Sequence, residues 1–101
     1  IGGLLKQLNN GDLNRTFIAR IRSDAAQNPS NAYGLWTGAA VAISQLGPDQ
    51  PPMTDRDGAL ADLAAMCNAD GADPTLRGHF SAAIAVVSGR PQQAGSCATP
   101  N

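Results

Sequence analysis

Ala32-Tyr33-Gly34-Leu35-Trp36-Thr37-Gly38-Ala39-Ala40-Val41-Ala42-Ile43 is uncharged and apolar on most sides. It is shorter than the roughly 18 apolar residues that a membrane span requires, so it predicts the central helix of a soluble bundle. Gly34, Gly38 and Ala42 recur at spacing four and form one small-residue stripe. Each glycine costs about 1 kcal/mol of helix propensity relative to alanine, which predicts a backbone packed closely on this stripe inside the monomer.

Upstream, residues 4–27 read as helical, with a break at Asn9-Asn10-Gly11 and Asp12 as the N-cap of the continuation. Leu13, Phe17, Ile21 and Ala25 recur every four residues and predict the buried face, with Asn14, Arg15 and Arg22 turned away from it. Asn28-Pro29-Ser30-Asn31 is a turn, and Ser30 or Asn31 caps the central helix, which runs to about Leu46.

Downstream, Gly47-Pro48-Asp49-Gln50-Pro51-Pro52 stops that helix, because proline removes backbone donors and glycine suits the position after a C-cap. Thr54, three residues before Asp57, caps a helix over about 55–69 that carries Leu60, Leu63, Ala64 and Cys67. Asn68-Ala69-Asp70-Gly71 ends it. Asp73-Pro74 supplies an N-cap and first-turn proline for a helix over 74–88. Its inward face is Leu76, Phe80, Ala83, Ile84 and Val87, while Arg77 and Ser81 point elsewhere. Gly89-Arg90-Pro91 closes it. Residues 82–87 also suit a strand, but a lone strand has no partner in this chain.

The expected fold is therefore all-α: a small four- or five-helix bundle with short loops and mostly antiparallel neighbours. Residues 1–101 read as a single helical domain, with a core over about 4–88 and an extended tail over 89–101. A chain of 101 residues supports one modest core. The apolar share is 43%, and 18 of those residues are alanine against nine leucine, five isoleucine and three valine, so closeness of backbones replaces bulk.

Cys67 and Cys97 are the two cysteines. The tail around Cys97 has almost no apolar content, so a bridge to the third main helix gives it a reason to be ordered. Such a bridge closes a loop of about 30 residues and contributes roughly 3–4 kcal/mol in the loop-entropy account. It implies an extracytoplasmic or secreted protein. Ile1-Gly2-Gly3-Leu4-Leu5 has no initiator Met and no signal-peptide pattern, so the chain reads as processed or trimmed, its export signal lying outside it.

The net charge of −1, from eight Asp, six Arg and one Lys, argues against a nucleic-acid partner, and Arg15, Arg20 and Arg22 are offset by Asp12 and Asp24. The acidic stretch from Asp49 to Asp57 lacks the ligand pattern of a calcium loop, and Asp70-Gly71-Ala72-Asp73 reads as a turn and cap. Neither a metal site nor a cofactor is expected.

His79 is the single histidine. It can serve as one general base beside an Asp or Arg77, or as one axial ligand, but its ordinary role is packing at the edge of the apolar face. Nucleophile elbows, phosphate loops and dinucleotide fingerprints are absent from the sequence. Trp36, the one tryptophan among many alanines, is expected first as the main core filler. Together with Tyr33, one turn away, it alternatively borders a small apolar pocket or partner surface.

The functional expectation is a non-enzymatic, exported helical binding or interaction domain for a small apolar ligand or a protein. Tyr33, Trp36, Arg77 and His79 are its candidate contact residues. A small enzyme or regulatory subunit using His79, and a structural assembly subunit using the Gly34–Gly38 face, are the alternatives.

Overall fold

The computed structural model describes residues 11–45 and 52–98. Its elements are α1 (Gly11–Gln27), a 3-10 turn (Pro29–Asn31), α2 (Ala32–Ser44), α3 (Arg56–Cys67) and α4 (Pro74–Ser88). The described residues are helical with no strand, so 82–87 belongs to α4. The expected segment 4–10, the break at Asn9-Asn10, the helix end at Leu46 and the stop over 47–51 lie outside the described residues.

Caps explain the boundaries. Asp73 accepts the backbone N–H of Leu76 at 2.8 Å, Pro74 opens α4, and Gly89 closes it in the left-handed conformation, φ 72°. Two caps differ from expectation, and a third stands at the expected Asn31 but without its side-chain bond. Asp12 lies within the first turn of α1 rather than before it. Asn31 occupies the cap of α2 without a side-chain cap bond, because the 3-10 turn from Pro29 already leads into the helix. Asp55, not Thr54, caps α3, accepting from the Gly58 N–H, while the Thr54 backbone N–H donates to Gly11 O at 3.3 Å.

α4 packs against α2 and α3, and α1 packs against the same two helices from the other side. Consecutive α2 and α3 thus sit diagonally, an exception to the expected packing of mostly antiparallel neighbours. Polar contacts fix the directions. Arg56 at the start of α3 donates to Val87 O at the end of α4 (2.6 Å), so these two run oppositely. Tyr33 at the start of α2 donates to Asp73 before α4 (2.8 Å), so those starts share an end of the bundle.

Phe80, Ile84, Leu76 and Val87 from α4 meet Leu63 and Cys67 from α3, Ile43 from α2 and Ile18 from α1 in one continuous core. Phe80 is the largest fully buried side chain; Trp36 is only half-buried and packs at the core's edge, so it is not the main filler. On α2 the buried residues are Ala32, Ala39, Ala40 and Ile43. Gly34, Gly38 and Ala42 are exposed, and a Cβ on either glycine would meet nothing within 4 Å. The expected close approach on that stripe is overturned because alanines on the opposite side already let the helices come near.

α1 is turned about one residue from its expected face. Asn14, Ile18 and Ala25 are buried and Ile21 is half-buried, whereas Leu13 and Phe17 are 49% and 42% exposed. Polar anchors set this rotation. Asn14 donates to Pro52 O at 2.7 Å, and Arg15 and Arg22 both donate to Asp62 of α3, at 2.7 and 2.5 Å. Gly58 makes room for the first of these guanidiniums, since a Cβ there would lie 2.8 Å from Arg15 Nη2.

The expected bridge is present. Cys67 and Cys97 are bonded, with Cα atoms 5.6 Å apart, and tie the tail to the end of α3. From Gly89 the tail turns back along α4, where the Gly95 N–H donates to Ser81 Oγ at 3.0 Å. Ser81, expected to point away from the inward face, is consequently buried. Gln92 Nε2 donates to the carbonyls of Ser96 and Ala98 and holds the tail's own turn.

Candidate binding cleft

Where late α1, early α2 and late α3 converge, short side chains fail to fill the space. Ala25 and Ala26 of α1 face Ala65 of α3 and Ala69 of the following turn across an open cleft of about 200 Å³. The half-buried Trp36 indole and the buried Met66 side chain line it. Among the described residues Arg22 is the one charged side chain lining it.

Its position follows from the ion-pair cluster that orients α1. Asp62 is 11% exposed at its side chain and accepts from Arg15 and Arg22 through its two oxygens. A buried carboxylate is tolerated when both oxygens are matched by donors of opposite charge, as they are here. Arg15 is largely covered and also reaches the exposed carboxylate of Asp55 at 3.4 Å. Arg22 is 52% exposed and touches Asp62 through Nη1 alone. With Asp55 beside Arg15, the cluster holds two guanidiniums and two carboxylates, and the half-open Arg22 is its member at the cleft.

The four residues singled out from sequence separate in space. Trp36 lines the cleft. Tyr33 stands exposed outside it, its hydroxyl given to Asp73. That hydrogen bond raises the Tyr33 hydroxyl above its ordinary pKa, while the Leu76 N–H and the Tyr33 hydroxyl hold the Asp73 carboxyl below the usual range. Arg77 is exposed and His79 half-buried on α4, and neither lines the cleft. Among the described residues no hydrogen bond or ion pair links His79 to an Asp, and no three His, Cys, Asp or Glu side chains gather as metal ligands.

Arg22, Met66 and Asp62 were not identifiable as site residues from sequence. Arg22 read as a surface charge, and Asp62 carried no local signal because its partners lie 40 and 47 residues away. The abundance of alanine was the one usable hint, since small side chains on three converging helices leave unfilled space. No helix among the described residues is long and apolar enough to cross a membrane. No family model matches the chain, and no curated protein or solved structure matches it significantly.

Proposed function

We propose that this chain is a non-enzymatic, exported binding domain whose ligand occupies the Trp36 cleft. The observation that carries the reading is the cleft: the one tryptophan lies half-open at its wall, in a bundle whose deep core is filled by other side chains. Small-molecule sites are concave, mostly apolar and carry few polar groups, and this cleft has that composition. The disulfide supports the exported part, because such bridges persist in oxidising compartments.

Native mass spectrometry of protein isolated from its source without reductant tests the reading. The expected spectrum shows a monomer with an extra noncovalent mass that disappears in Ala26→Phe, a variant that fills the cleft from an exposed helical position. A bare monomer would count against it. The exposed Gly34, Gly38 and Ala42 face favours a second reading, an assembly subunit, and the same spectrum distinguishes it by a concentration-dependent oligomer.

A further inference from the structure

Taking the Trp36 cleft as the binding site, we infer that its ligand is a small flat monoanion, an aromatic carboxylate of phenylacetate type. Size sets the first limit. A cleft of about 200 Å³ exceeds the roughly 150 Å³ of a cavity that admits benzene, so it takes one six-membered ring and a short arm. It does not enclose a sterol or a long acyl chain.

Surface chemistry sets the second limit. The half-buried indole of Trp36 favours an aromatic ring over an aliphatic one of equal area. The alanine methyls beside it add contact without polar demand.

Charge sets the third. Among the described residues Arg22 is the ionisable group that lines the cleft, and one nitrogen, Nη1, holds Asp62 at 2.5 Å. That bond engages one nitrogen of the planar guanidinium, and the side chain is half-open, which leaves donors for a second acceptor. The nearest carboxylate, Asp62, is taken up by two guanidiniums and does not line the cleft, so an incoming carboxylate meets a donor without a competing negative wall. A cationic ligand would gain the Trp36 face but lose against Arg22.

The chain's single tryptophan gives one indole N–H resonance, which makes the test direct. ¹⁵N-labelled protein is titrated separately with sodium phenylacetate, phenylacetamide and phenethylammonium chloride. The acid should shift the Trp36 resonance saturably, and the amide should bind roughly tenfold more weakly or worse, as loss of a charge-assisted hydrogen bond requires. The amine should bind most weakly. Arg22→Gln should bring the acid down to the level of the amide while leaving the amide unchanged; because Arg15 still holds Asp62, this variant keeps a partner on the covered carboxylate. The wild-type acid-to-amide comparison stands even if that variant fails to fold. Equal binding of acid and amide, or tighter binding of the amine, overturns the carboxylate inference. So does the absence of any shift at millimolar probe. In each case the noncovalent mass abolished by Ala26→Phe reports separately whether the cleft is a binding site at all.

Discussion

The α3–α4 half of the bundle and the α1–α3 seam are held by different physics. Between α3 and α4, Leu63, Cys67, Leu76, Phe80, Ile84 and Val87 are almost entirely removed from water, and the disulfide closes the same region from outside. Along the α1–α3 seam, Ile18 is the one fully buried large side chain that α1 contributes, beside Ala25 and half-buried Ile21, and the seam's directional contacts are Asn14 on Pro52 and two arginines on Asp62. Apolar burial is proportional to area and indifferent to direction, whereas hydrogen bonds and ion pairs depend on orientation. The first half therefore carries stability, and the second fixes the rotation of α1 and with it the place of Arg22.

The comparison breaks most visibly at Phe80. Phe80→Ala removes the largest buried side chain and should cost about 3–5 kcal/mol, measured by urea denaturation at equilibrium. A cost near 1 kcal/mol would mean that the α3–α4 half is not the main store of stability. The double variant Cys67→Ala, Cys97→Ala follows at about 3–4 kcal/mol in the loop-entropy account. Its local signature is hydrogen exchange: protection of the Gly95 amide, which donates to Ser81, should be lost, while that of α1 amides persists at moderate denaturant.

Asp62→Asn sharpens the other side. Breaking a fully buried ion pair costs several kcal/mol, but Arg22 is half-open and regains water, so about 1–2 kcal/mol is expected, again from urea denaturation. Its structural effect should exceed its energetic one. With the carboxylate charge gone, Arg22 loses its anion and Arg15 keeps only Asp55, and chemical-shift changes should concentrate around Ile18, Ile21 and the Trp36 indole rather than around Phe80.

What the sequence made legible divides along the same line. The limits of α4, its caps at Asp73 and Gly89, its inward residues and the Cys67–Cys97 bridge all follow from local rules: spacing, capping chemistry and the need to tether an apolar-poor tail. Ser81 escaped those rules because what covers it is the tail, fourteen residues on. Gly34 and Gly38 misled for a related reason. A small-residue stripe says that a backbone can approach, not that one does, and α2 had a second small face in Ala39 and Ala40. Trp36 was named as both core filler and pocket wall, and its half-buried place at the cleft is a packing outcome that no single-helix pattern encodes. Arg22 and Asp62 are the extreme case, a pair separated by 40 residues with nothing local to couple them.

The smallest expected effect tests the rotation of α1 itself. Two faces of this helix share Ile21 and Ala25: one continues through Leu13 and Phe17, the other through Asn14 and Ile18, and apolar periodicity favours the first. The structure takes the second because each polar anchor is satisfied only in that orientation: Asn14 has Pro52 O, and Arg15 and Arg22 share Asp62. Unmatched, the covered carboxylate and the amide would cost more than leaving part of a phenyl ring in water. Phe17→Ser, at a site 42% exposed, gives up only part of a phenyl ring's burial and should then cost about 1 kcal/mol. Ile18→Ala, one residue on, should cost about 2–4 kcal/mol. If denaturation instead ranks Phe17 above Ile18, α1 packs on the face that periodicity favours, and the ion-pair geometry that places Arg22 at the cleft is lost with it.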